Sequence, residues 1–220
     1  MSLAIFDLDN TLLSGDSDYL WGCFLVENGL VDREYYEKEN KRFYEQYKAG
    51  NLDIYEFVKF AFRPLAENSL EDLLQLQIRF MMEKIRPIMS SASIRLVEKH
   101  RQAGDTLMII TATNRFVTAP IAAAFGIPHL LATEPEVIEN QFTGELAGVP
   151  CFREGKITRL NQWLEQYNET LHDSWFYSDS HNDLPLLSCV TRPVVVDPDE
   201  KLARHAQERR WPVISLKVKE

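Results

Sequence analysis

Histidine, cysteine and positive charge are all scarce in this chain. Its 220 residues carry five histidines and three cysteines, and 33 acidic against 24 basic side chains leave a net charge of −9. The histidines are scattered, with no pair at zinc-ligand spacing, and Cys23, Cys151 and Cys189 show no metal-type spacing either. Each cysteine has apolar neighbours, so all three read as small buried hydrophobes in a reducing compartment. The acidic balance argues against a nucleic-acid backbone or an anionic membrane surface as the main partner. No apolar stretch approaches the ~20 residues needed to span a bilayer. Asp7 interrupts the first apolar run after a few residues, so no secretion signal is read there, and a cytoplasmic protein is expected. One constraint follows from the charge. If the substrate is an anion, its site must reverse the overall field locally with a metal ion or a lysine.

What the chain does contain is enough apolar material, 45% of residues, to bury a full core. From about Ser91 onward, strand-like and helix-like stretches alternate. SASIRLVEKHRQAG reads as a helix with Ile94, Val97 and His100 on one side and Gly104 as its stop. TLMIIT (106–111) is a strand buried on both faces, and NRFVTAPIAAAFG a helix opening on Asn114. HLLAT, SWFYS, RPVVVD and WPVIS are further short strands. KITRLNQWLEQYNE places Ile157, Leu160, Leu164 and Tyr167 at helical spacing, and PDEKLARHAQERR falls between the last two strands. NQFTGELAGVPCFREGK reads as a hairpin with Gly144 and Gly148 at turns. Such alternation predicts an α/β fold, a Rossmann-like parallel sheet flanked by helices.

Residues 14–86 differ. They contain no good strand candidate and hold 13 of the 24 aromatic residues, the large side chains that a small helical module needs for its core. Pro64 and Pro87 punctuate the stretch. The predicted organisation is a catalytic core over 1–13 and 87–220, with a helical cap over 14–86 inserted after the first strand.

The end of that first strand carries Asp7 and Asp9. In open α/β sheets ligands bind at the carboxyl ends of strands, and residues two apart on extended backbone face the same side. Paired carboxylates repel unless a cation sits between them or one takes a proton. Thr111 ends a strand, Asp179 follows another with Asp183 four residues on, and Lys156 falls in a first helical turn, where its charge opposes the dipole. An oxygen-rich, sulfur-poor set of this kind suits Mg²⁺.

These residues resemble the haloacid-dehalogenase superfamily of phosphohydrolases, in particular its phosphoserine-phosphatase-like branch. Asp7-Leu8-Asp9-Asn10-Thr11 matches the DxDxT motif, and Thr111, Lys156 and the Asp179/Asp183 pair match the three that follow, in order. The helical insertion resembles the family's small cap. The resemblance implies Asp7 as nucleophile, forming an aspartyl-phosphate, and Asp9 as general acid and then base. It further implies Thr111, Lys156 and Asn182 around the phosphate, and Mg²⁺ held by Asp7, the Asp9 carbonyl and Asp179, with Asp183 nearby. His181 reads as an exposed loop residue close to the site.

For the substrate, the position equivalent to the amine-binding acid of the phosphoserine phosphatases is Asp16, with Asp18 beside it. Either could instead cap the first cap helix. A functional Asp16 implies a small amino-alcohol phosphate, phosphoserine or histidinol phosphate, and the aromatic cap favours the imidazole of the latter. The chain departs from the phosphoserine phosphatases in having Asp where Glu is usual, and in a larger cap. A phospholipid or sugar phosphate, or phosphoryl transfer in place of hydrolysis, are the alternatives. Retention of Asp7, Asp9 and Lys156 argues for an enzyme over a binding protein. No oligomeric state follows from the sequence.

Overall fold

A computed structural model describes residues 2–217. Within them, β1 (Leu3–Phe6), β2 (Thr106–Asn114), β3 (His129–Thr133), β6 (Trp175–Ser178), β7 (Arg192–Val196) and β8 (Val213–Ile214) form one sheet in the order β3-β2-β1-β6-β7-β8. Every neighbouring pair in it is parallel. β4 (Pro135–Ile138) and β5 (Gln141–Leu146) form a separate antiparallel hairpin. β1 is central, and alternate residues feed opposite faces: Ala4 and Phe6 one cluster of the core, Leu3 and Ile5 the other. Burial on both faces is why its four residues are all apolar.

Of the five α-helices between β1 and β2, the first four are α1 (Ser17–Glu27), α2 (Arg33–Ala49), α3 (Ile54–Glu67) and α4 (Leu70–Phe80). Their starts are written in the sequence as Asp16, Asp32, Asp53 and Ser69, each accepting backbone N–H bonds as N-cap. The chain leaves and returns side by side, with Leu13 bridged to Met89 and Ser14 N–H bonded to Ile88 O at 2.9 Å. Trp21, Phe24 and Phe80 pack together in this layer, and Trp21 also meets Phe116 of α6 (Arg115–Ala124) at 5.8 Å. α5 (Ser91–Gln102), α7 (Glu154–Tyr167), α8 (Leu184–Leu187) and α9 (Glu200–Arg209) complete the flanking helices. No described helix is long and apolar enough to cross a membrane.

Several local expectations are corrected. The hairpin turns at Glu139 and Asn140, both in the left-handed region, and not at the glycines. Gly144 (φ +87°) lies inside β5, where a Cβ would stand 3.3 Å from Ala66 of α3, so a close approach and the backbone conformation both favour glycine. α3 runs through Pro64, whose ring is buried beside Leu65; packing overrides the local preference. Ile94 and Tyr167 are half-exposed, and the buried stripes are Ser93-Val97-His100 and Lys156-Leu160-Trp163. Cys151 is buried as expected, but Cys189 is exposed and Cys23 intermediate.

One buried polar link holds α5 to the sheet. His100 shares hydrogen bonds of 2.7 Å with Tyr177 Oη through Nε2 and with Asp105 through Nδ1. Tyr177→Phe would leave Nε2 without a partner in a dry setting, so a stability loss of about 1–3 kcal/mol is expected in chemical denaturation. An unchanged midpoint would show that the link contributes nothing net.

Candidate active site

The strand order reverses direction at β1, which is where α/β sheets open a crevice at their carboxyl edge. β1 stops at Phe6, and a wide turn over Leu8–Leu12 closes with Leu13 N–H bonded to Leu8 O at 3.0 Å. Asp7 (φ −67°, ψ 160°) and Asp9 (φ −73°, ψ 132°) keep extended backbones within this turn, and Asn10 turns left-handed to reverse the chain. Both carboxylates therefore line one recess, about 580 Å³ including its open mouth, between the sheet edge and the helical layer.

Asp7 is buried, with Lys156 Nζ at 2.7 Å from its Oδ1. The same ammonium reaches Asp183 at 2.8 Å, and Ser178 Oγ donates to Asp183 at 2.7 Å. Lys156, 2% exposed, stands in the first turn of α7 against the helix dipole; the two carboxylates stabilise it there. Thr11 fixes Asp179, accepting its N–H at 3.1 Å and donating to its carboxylate at 3.0 Å. Asp9 is bonded by Ser17 N–H at 2.6 Å and by Thr113 Oγ1 at 2.8 Å. Thr111 is buried, lines the recess, and accepts Thr113 N–H at 3.2 Å. β2 continues past it to Asn114 with a register shift against β3, so Thr111 sits in an irregular stretch and not at the strand's last residue.

The electrostatics follow from burial. Burial pushes the Asp7 carboxyl up to about 7, with Lys156 opposing and Asp183 adding to the rise. Asp9 is pushed up to about 6 by burial and by the charge of Asp16, against its hydrogen bonds. Asp179 lies well above the ordinary range through burial and the charge of Asp7. For Lys156, Asp183 and Asp7 outweigh burial and raise it. One ammonium thus faces Asp7 and Asp183 with Asp179 alongside, which leaves an excess of buried negative charge and all-oxygen donors.

That donor set fits Mg²⁺, which takes one or two carboxylates and completes its shell with carbonyls, waters and phosphate oxygens. Among the described residues no three His, Cys, Asp or Glu side chains already converge on one point. The set implied here needs only two carboxylates, Asp7 and Asp179, and the Asp9 carbonyl.

Asp16 caps α1, its Oδ1 accepting the N–H groups of Asp18 (3.0 Å) and Tyr19 (2.8 Å), and it also lines the recess. Asp18 lines the recess without capping anything. Asn182 is buried, and its amide links Arg153 Nε (3.1 Å) to Tyr47 O (3.1 Å). Arg153 also donates to Gly50 O, and Lys201 Nζ donates to Ala49 O at 2.8 Å. Three donors from the sheet side thus hold carbonyls at the end of α2, where the dipole is negative. His181 is a correction: its side chain is only 13% exposed and is bonded to Asp199 at 2.7 Å. A Cβ at Gly50 (φ +75°) would meet the His181 ring.

Sequence reasoning did not single out Thr113, Ser178 or Arg153. The Thr-Ala-Thr alternation puts Thr113 on the face of Thr111, a readable signal. Arg153 gave none, because its role depends on a left-handed backbone (φ +50°, ψ −119°) that an arginine does not advertise.

Buried carboxylates with a lysine counter-ion, at the open edge of a parallel sheet and under a helical layer, form a site suited to acid-based hydrolysis. The family model described as haloacid dehalogenase-like hydrolase matches residues 4–188, and the chain belongs to that family. It is 46% identical over 220 residues to a histidinol-phosphatase of Neisseria meningitidis serogroup C, covering 98% of this chain and 99% of the relative. A phosphoserine phosphatase of Mycobacterium tuberculosis is 29% identical over 223 residues, covering 98% and 71%. Among solved structures, a protein of unknown function from Bordetella pertussis Tohama I superposes with a TM-score of 0.93 at 44% identity, covering 98% and 99%. A substrate-bound phosphoserine phosphatase shares the fold at TM-score 0.71 and 16% identity, covering 97% and 92%. The chain is a phosphatase of this family.

Lys156→Met would leave the buried acids without their ammonium, at an expected cost of about 3–5 kcal/mol at neutral pH in metal-free buffer. The sign with pH is fixed by the raised Asp7. An acid whose folded pKa lies above its unfolded value destabilises increasingly as pH rises from the unfolded value toward the folded one. The deficit should therefore be small at pH 5 and grow as pH rises past about 7, where Asp7 ionises beside Lys156 in the wild type. A pH-independent deficit in denaturant titrations would contradict the charge assignment.

Proposed function

We propose that this phosphatase hydrolyses a small amine-bearing phosphate monoester, histidinol phosphate foremost, through a phosphoryl group carried on Asp7. The observation that carries the substrate class is the charge of the recess. Asp7, Asp9, Asp16 and Asp18 face it with Tyr19, Phe43, Tyr44, Tyr47 and Phe57, and no Lys, Arg or His is among its described lining residues. A substrate amine finds carboxylates there, and an aromatic ring finds aromatic walls. The carboxylate of phosphoserine would find no cation and several like charges. The name of the Neisseria relative supports the same choice.

In this reading an Asp7 carboxylate oxygen attacks phosphorus as the ester P–O bond breaks, and Asp9, protonated, gives its proton to the leaving alcohol. The Asp9 carboxylate then takes a proton from water as that water attacks phosphorus and releases Asp7. The elevated Asp9 pKa suits both duties near neutral pH. Lys156 lies against the attacking carboxylate, and in this reading it binds a phosphoryl oxygen. Thr111 and Asn182 serve as further phosphate ligands, and the Thr113 hydroxyl and Ser17 N–H hold Asp9 in place. Mg²⁺ held by Asp7, the Asp9 carbonyl and Asp179, with Asp183 nearby, would neutralise charge as the acid approaches the phosphate. This reading makes the chain a cytoplasmic enzyme of amino-acid biosynthesis, with a small molecule as its partner.

Phosphate release should be followed with Mg²⁺ present, from histidinol phosphate, phosphoserine, a sugar phosphate and p-nitrophenyl phosphate. The expected kcat/KM for histidinol phosphate exceeds that for phosphoserine by about 100-fold or more, and EDTA abolishes turnover until Mg²⁺ is restored. Equal or better use of phosphoserine would overturn the substrate reading, and EDTA-resistant turnover the metal assignment.

A further inference from the structure

The two acids that follow the catalytic turn are not equivalent. Asp16 is engaged by two backbone N–H groups, and the next residue, Ser17, bonds Asp9 through its own N–H, so Asp16 stands beside the catalytic acid. Asp18 is different. Its carboxylate is half-buried, and nothing favourable surrounds it: burial first, then repulsion from Asp16 and Asp9, raise its carboxyl well above the ordinary range. A helix start does not need a second acid in that state, since Asp16 already caps α1.

Asp18 also lines a second, narrow space beside the recess, about 210 Å³ including its open mouth. Asn40 and Phe57 line both spaces with it, and Tyr36 and Phe60 close the far side. Trp21 forms part of that wall, is 3% exposed, and its buried Nε1–H has no hydrogen-bond partner. Among the described residues lining either space there is no cationic side chain. A carboxylate held in an aromatic pocket without a counter-ion costs stability, and so does an orphan N–H donor. Both deficits are met by one kind of group: a flat ring that carries an N–H or a positive charge on one side and an acceptor nitrogen on another.

We propose that Asp18 is the specificity-determining acid for the distal ring of the substrate, pairing with an imidazole N–H, while Asp16 pairs with the ammonium nearer the phosphate. This assignment rests on the amine-phosphate reading above and divides that site between two acids. In histidinol phosphate the ammonium and the ring lie on successive carbons beyond the ester, in the order in which Asp16 and Asp18 follow Asp9. Trp21 Nε1–H is the donor available to the ring's second nitrogen.

The test compares the wild type with Asp18→Asn and Asp16→Asn on histidinol phosphate and on 2-aminopropyl phosphate, which keeps the ammonium and lacks the ring. For Asp18→Asn the ratio of kcat/KM between the two substrates should fall about 30-fold, mainly through KM, as expected for loss of a charge-assisted hydrogen bond. The inhibition constant of L-histidinol should rise by a similar factor. Asp16→Asn retains a good N-cap and should weaken both substrates together. A ratio within about threefold of wild type in Asp18→Asn would overturn the assignment, as would a matching drop on both substrates. If the wild type does not prefer histidinol phosphate to p-nitrophenyl phosphate, the substrate reading fails and Asp18's role with it, an outcome visible before any variant is made.

Discussion

The contact between Lys156 and two buried acids, Asp7 and Asp183, is the interaction around which this molecule is organised. It joins the end of β1, the first turn of α7 and the segment after β6, three pieces far apart in the chain, through bonds of 2.7 and 2.8 Å. Removing ions from water costs more than one pair of contacts returns unless every partner is satisfied. Here Ser178 satisfies part of Asp183 and Lys156 part of Asp7, and a negative charge remains uncompensated. Asp7 stands in an environment short of cations, and in the proposed reading that shortage is what a divalent ion would relieve.

The helical layer is tied to this centre at two places. Asp16 and Ser17 start α1 directly against Asp9, so the first residues of the layer belong to the catalytic turn. At the far side, Arg153, Asn182 and Lys201 hold the last carbonyls of α2, with Gly50 turning left-handed under the His181 ring. Asn182 is an expected phosphate ligand, and it already touches Tyr47 of the layer. Phosphate bound there would share a residue with the seating of the layer, a coupling of the kind expected where a lid completes a site.

Much of this was legible from residue order. β1 is the buried apolar strand its residues predict, and Asp7, Lys156 and Asp179 stand at a strand end or in a first helical turn as residue order suggests, whereas Thr111 lies inside β2. What escaped depends on tertiary placement. Arg153 acts through a left-handed backbone, and His181 is largely covered only because Asp199 and α2 approach it. Gly144 reads as a turn in the sequence yet serves a close approach to α3, while Glu139 and Asn140 make the turn. The sequence Asp16-Ser17-Asp18 left open which acid caps the helix. Only the direction of the entering chain decides that Asp16 receives the N–H groups and Asp18 is left facing the recess.

In the proposed reaction Asp7 is the atom donor to phosphorus, so the most direct measurement is to catch the phosphoryl group there. Enzyme mixed with histidinol phosphate and Mg²⁺ would be quenched in acid within one turnover and digested for mass spectrometry. A phosphoryl group on the peptide containing Asp7, absent in Asp7→Asn together with turnover, is the predicted result. Steady turnover in Asp7→Asn, or turnover in the wild type with no phosphoryl group ever found on Asp7, would contradict it.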